Sequence, residues 1–143
     1  MRPIVCATRG GEVSRRTQER AVALAKERET ELIFLCVVNP GFAGPVDKSL
    51  KATLADELQW LGRTLLSIAQ ARAQKQGVVT RTAVQCGPAW QNIEEYVRRV
   101  DADALVIGMS RTSSTPRAFG SRNVHRLAET INEATGVEVV VVT

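Results

Sequence analysis

The chain contains a single histidine, His125, and three widely separated cysteines, Cys6, Cys36 and Cys86. One imidazole and no Cys-x-x-Cys pair argue against a transition-metal site. An odd number of cysteines flanked by apolar residues fits free thiols in a reducing cytoplasm better than a disulfide framework. Aromatic residues make up only 4% of the chain. No Lys/Arg block alternates with them, so the net charge of +4 permits anionic partners without favouring nucleic acid. No apolar run approaches the roughly 18–20 residues that span a bilayer, and membrane insertion is not expected. The opening Met1-Arg2-Pro3-Ile4-Val5-Cys6 lacks the apolar core and cleavage site of a signal peptide, which again fits a cytoplasmic location. Neither a nucleophile–base pair nor a carboxylate dyad stands out, and no catalytic residue is assigned.

What the chain does have is alternation. Its 143 residues are the size of one domain, expected over 1–143. Short apolar runs at Pro3–Thr8, Glu31–Val38, Val78–Val84, Ala104–Ile107 and Val137–Val142 read as strands. Between them lie helical patterns. The first starts at Ser14 as N-cap and runs to about Arg28, with Ala21, Val22, Leu24 and Ala25 inward. The second runs from about Ser49 to Lys75, with Leu50, Leu54, Leu58, Leu61, Leu65 and Ile68 as its apolar stripe, and Gly77 closes it. The third opens at Gly87-Pro88, with Trp90, Ile93 and Val97 inward. The last is capped by Ser121, with Val124, Leu127, Ala128 and Ile131 inward, and Gly136 ends it. Trp60 and Trp90 fall on or near core stripes, and Asp101 and Asp103 read as solvated turn residues. This order predicts a five-stranded, parallel, doubly wound α/β sheet, strand order 3-2-1-4-5, with helices on both faces. The third strand, carrying Arg81 and Thr82, belongs near an edge. In such a sheet a ligand binds at the carboxyl ends of strands 1 and 4, where the winding reverses.

The loop after Ile107 faces that crevice. Gly108 ends a strand, Gly120-Ser121 opens a helix, and Thr112, Ser113, Ser114 and Thr115 lie between them. Glycine leaves backbone N–H groups open to an anion, and a helix N-terminus attracts one. Arg111, Arg117 and Arg122 surround this loop, while Arg9, Arg15 and Arg16 follow the first strand. Cations in a first helical turn oppose its dipole, and a bound polyanion would relieve them. Plainer readings stand beside these. Gly108 can simply end a strand, Ser121 can simply cap a helix, the hydroxyl loop can be solvated, and the arginines can reach into water.

Over essentially its whole length the chain resembles the universal stress protein family. The resemblance is carried by Val5-Cys6-Ala7-Thr8 with Gly10, by Glu31–Val38, by Gln76-Gly77, by Cys86-Gly87-Pro88-Ala89, by Asp103–Gly108, by Gly120-Ser121 and by the valine-rich end. It implies an adenine nucleotide alpha hydrolase-like fold, a role in stress response, and a homodimer through the C-terminal strand. It also implies a site for ATP or AMP, with Mg only where ATP is bound and at most slow hydrolysis. Carried over residue by residue, Gly108, Gly120 and Ser121 would hold phosphate, and Val38 would touch the base. Thr8, Arg9, Arg111 and Arg122 complete the candidate set. Two positions depart from the family's pattern. Arg111 stands where a second glycine is expected, with eight intervening residues rather than nine before Gly120, and Arg9 stands where an aspartate is common. Weaker affinity or altered selectivity is the consequence expected. The alternative is a member that binds no ATP and acts through protein contacts, for example as a regulatory or transporter-associated partner.

Overall fold

The computed structural model describes residues 2–8, 14–39, 47–108 and 121–142, apart from the side chains of 121–124. In chain order these form β1 (Ile4–Ala7), α1 (Arg15–Arg28), β2 (Leu32–Val38), α2 (Lys48–Lys75) and β3 (Thr80–Cys86). They continue as α3 (Ala89–Arg99), β4 (Ala104–Gly108), α4 (Ser121–Thr135) and β5 (Glu138–Val142). All four strand pairings are parallel, in the order β3-β2-β1-β4-β5 that the alternation predicts.

The central strands are apolar throughout because both their faces are covered. Ile4, Cys6, Leu32, Phe34 and Val106 point towards α1 and α2, and pack with Leu24, Leu66 and Ala69. Val5, Ile33, Leu35, Leu105 and Ile107 point the other way and pack with Ile93, Val97 and Ile131 of α3 and α4. Successive strand residues serve opposite layers, so alternation of polarity is absent where burial is two-sided. Burial pushes the Cys6 thiol well above its ordinary pKa, which makes it a small hydrophobe and not a nucleophile. All three cysteines are free, with Cys36 buried and Cys86 exposed.

Several local expectations need correction. Ser14 stands at the N-cap of α1, yet its side chain makes no capping hydrogen bond. Pro88 is the N-cap of α3 and not its first helical residue. β3 is shifted along the chain to Thr80–Cys86, at the edge of the sheet as expected. The leucine stripe of α2 is largely misassigned. Its buried residues are Gly62, Leu66, Ala69 and Ala73, whereas Leu50, Trp60, Leu61 and Ile68 are exposed. Gly62 faces Cys36 of β2 and Val84 of β3, where a Cβ would stand 3.4 and 3.5 Å away, at ordinary contact. At the other end Gly77 takes φ +82°. Its N–H donates to Gln74 O and that of Val78 to Ala73 O, a Schellman close.

Asp103 is not merely a turn residue. Arg28, the last residue of α1, donates from Nη1 to Asp103 Oδ2 at 2.7 Å and from Nη2 to Glu138 Oε2 at 2.6 Å. These bonds, Glu138 first, raise the guanidinium pKa further, so the bracket from α1 to the starts of β4 and β5 stays charged. The side chains of Arg28 and Asp103 remain about one-third exposed, at 32% and 35%. Arg28→Met should therefore cost about 1 kcal/mol in urea unfolding, and less in concentrated salt.

Candidate functional site

Unequal strand lengths shape the carboxyl edge of the sheet. β1 stops at Ala7, which pairs with Leu35 on one side and Ile107 on the other. β2 continues to Val38, paired to the end with Cys86 of β3. At about 3.3 Å per residue, three further residues raise β2 and β3 roughly 10 Å above the end of β1. The result is a step whose floor is the ends of β1 and β4 and whose wall is the end of β2. This is the point where the winding direction reverses, and where open α/β sheets hold ligands.

Thr8 and Gly108 form the floor, each one position beyond the Ala7–Ile107 pair. The Thr8 N–H donates to Leu35 O at 2.8 Å, which spends that donor inside the sheet. Its buried hydroxyl accepts a 3.1 Å hydrogen bond from Gln18 Nε2 of α1. Gly108 ends β4 opposite Val142. A Cβ built on it would overlap Thr17 Oγ1, so glycine is required there by the close approach of α1. Val38 is half-buried at the top of the wall, and its carbonyl accepts the Gly87 N–H at 2.9 Å. α4 opens at Ser121, and the N–H groups of a first helical turn have no partner within their own helix.

Of the residues expected at the site, Thr8, Val38 and Gly108 meet around this step. Arg9, Arg111 and Gly120, like the hydroxyl loop and Arg117, lie outside the described residues, as do the side chains of Ser121 and Arg122. Arg15 pairs with Glu19 at 3.3 Å, so α1 itself offsets part of its first-turn charge. The sequence reading missed Thr17 and Gln18, both only 5% exposed. The signal was available, since they precede Ala21 and Val22 by one helical turn and continue the same inward face. His125 is exposed. Among the described residues no group of three or more His, Cys, Asp or Glu could hold a metal ion. No described helix is long and apolar enough to cross a membrane. Two hollows are bounded by described residues, the second of them bordered by Gln18, whose amide holds Thr8. One, about 340 Å³, lies between α4 and β5, and the other, about 250 Å³, between α1 and α2.

The described residues define a doubly wound α/β protein whose winding reverses between β1 and β4. The chain belongs to the universal stress protein family, whose family model matches residues 1–142. A universal stress protein from Archaeoglobus fulgidus superposes with a TM-score of 0.73 at 21% identity, over 100% of this chain and 99% of that one. One from the same organism in complex with dAMP gives 0.68 at 20% identity, over 100% and 98%. A universal stress protein in complex with cAMP gives 0.70 at 22% identity, over 99% and 97%. Among curated proteins no sequence matches this chain.

Proposed function

We propose that the protein is a cytoplasmic, single-domain nucleotide-binding module of the stress response, taking AMP, ATP or a related phosphate-bearing ligand at the β1/β4 step. The observation that carries this reading is the step itself. Its apolar wall at Val38 suits a base, and its floor at Thr8 and Gly108 stands at the ends of the two strands between which the winding reverses. Gly120 and the first N–H groups of α4 at Ser121 would take the phosphate, where a helix N-terminus favours negative charge. The dAMP and cAMP complexes of similar structures support an adenine nucleotide as the class to test first. Arg9, Arg111 and Arg122 would shift selectivity towards the phosphate end, and Mg would enter only with ATP. β5 is the outermost strand of the sheet and largely apolar, which supports a homodimer formed by pairing its free edge.

The test is isothermal titration with ATP, AMP and cyclic AMP. Heat of binding with at least one is expected. Absence of heat with all three at millimolar concentration would overturn the reading.

A further inference from the structure

Four of the five large apolar side chains exposed among the described residues lie on α2. Three of them, Leu50 (56% exposed), Leu61 (47%) and Ile68 (49%), share a line with the half-buried Leu54, Leu58 and Leu65. Extended to both ends of the helix, this line runs Asp47, Leu50, Leu54, Leu58, Leu61, Leu65, Ile68, Arg72, Lys75. Its steps are 3, 4, 4, 3, 4, 3, 4 and 3 residues. Its six apolar members, Leu50 to Ile68, span 18 residues in five steps, a mean of 3.6, so they form one straight stripe along the helix. The sheet-facing line through Gly62, Leu66, Ala69 and Ala73 is separate. α2 thus carries one line that lies on the sheet and a second whose apolar part, Leu50 to Ile68, is half-buried to exposed, with Arg72 and Lys75 at its end bordering the hollow between α1 and α2.

The second line is also nearly symmetric about its middle. Counted from Leu61, its residues stand 14, 11, 7 and 3 positions towards the N-terminus and 4, 7, 11 and 14 towards the C-terminus. Reversal exchanges Leu54 with Ile68, Leu58 with Leu65, Leu50 with Arg72, and Asp47 with Lys75. A surface that matches its own reverse is what a two-fold axis requires, because each contact then occurs twice. We propose that α2 docks antiparallel on the α2 of a second copy of this chain, with Leu61 on the axis. The exposed carboxylate of Asp47 then meets the exposed ammonium of Lys75 at both ends, and the aliphatic stem of Arg72 lies beneath Leu50. The two copies of Glu57, each four residues from the axis, stand about 12 Å apart along the helices, beyond the ~8–10 Å screening length. A strip about 42 Å long and ~10 Å wide covers roughly 400 Å² per partner, half the ~800 Å² of a standard interface. The pair is therefore transient and forms at high protein concentration. It is separate from any pairing of β5 edges and does not depend on bound nucleotide.

Disulfide trapping tests both the partner and the direction. The background is Cys86→Ser, which removes the exposed thiol and leaves Cys6 and Cys36 buried. In it, Leu61→Cys should link into a covalent dimer under mild oxidation, while Ser67→Cys, exposed but off this line, should not. A mixture of Leu54→Cys and Ile68→Cys proteins should cross-link to each other, with neither linking to itself. Leu61→Glu, with its circular dichroism unchanged, should lose the largest species in concentration-dependent sedimentation, whether monomer or strand-paired dimer remains. Self-linking of Leu54→Cys would mean parallel pairing. That result, or Leu61→Cys linking no faster than Ser67→Cys, or sedimentation insensitive to Leu61→Glu, overturns the proposal.

Discussion

Gly108→Ala is expected to destabilise the protein by about 1–3 kcal/mol although it adds only one methyl group, because the new Cβ has no room beside Thr17 Oγ1. Relief must come from turning the buried Thr17 side chain, from moving α1 away from β4 or from twisting the end of β4, and each disturbs the packing around the floor. Unfolding in urea measures the loss, and a double-mutant cycle assigns its cause. Thr17→Ala removes the obstructing hydroxyl, so the double variant should lose at least about 1 kcal/mol less than the sum of the single losses. Additive losses would show that the glycine serves something other than this contact. Nucleotide titration of the same pair then separates shape from stability, since a refilled contact with an intact floor should recover binding.

The second large effect separates the two lines of α2. Leu66→Ala is expected to cost about 2–5 kcal/mol, because Leu66 is fully buried between α2 and the sheet. In a chain of this size that lowers the melting temperature by roughly 6–15 °C. Leu61→Ala, five residues away on the same helix, should stay within about 0.5 kcal/mol at low protein concentration. If the two losses were similar, the helix would be rotated from the orientation described.

That contrast also marks how far the sequence could be read. Strand order was legible because Ile4–Ala7, Leu32–Val38 and Ala104–Gly108 are apolar on both faces, which demands helices above and below. The face of α2 was not legible. Two apolar lines share the helix, and the one richer in leucine is not the one on the sheet. The face on the sheet is made of Gly62, Leu66, Ala69 and Ala73, a line whose small residues carry little hydrophobic signal. Trp60 misled in the same way, since a large aromatic on a helix suggests core and this one is exposed. At the site, Gly108 was visible as a glycine ending a strand, but its reason lies in Thr17, on another element. The step could not be seen at all. It depends on β1 stopping three residues short of β2, and a sequence shows strand ends too loosely for that. Arg28 with Asp103 and Glu138 was equally hidden, because its partners lie 75 and 110 positions away.

One consequence of the α2 geometry concerns time and not shape. All the fully buried residues of this helix lie between Gly62 and Ala73, while the 14 residues before Gly62 have none. A 28-residue helix is about 42 Å long, whereas a seven-residue strand is only about 23 Å. The helix therefore has one half with fully buried residues and one half without, and the two should open on different clocks. In native-state hydrogen exchange, amides from about residue 52 to 60 should exchange through local opening, with low dependence on denaturant. Those from 66 to 75 should exchange only when the whole sheet comes apart.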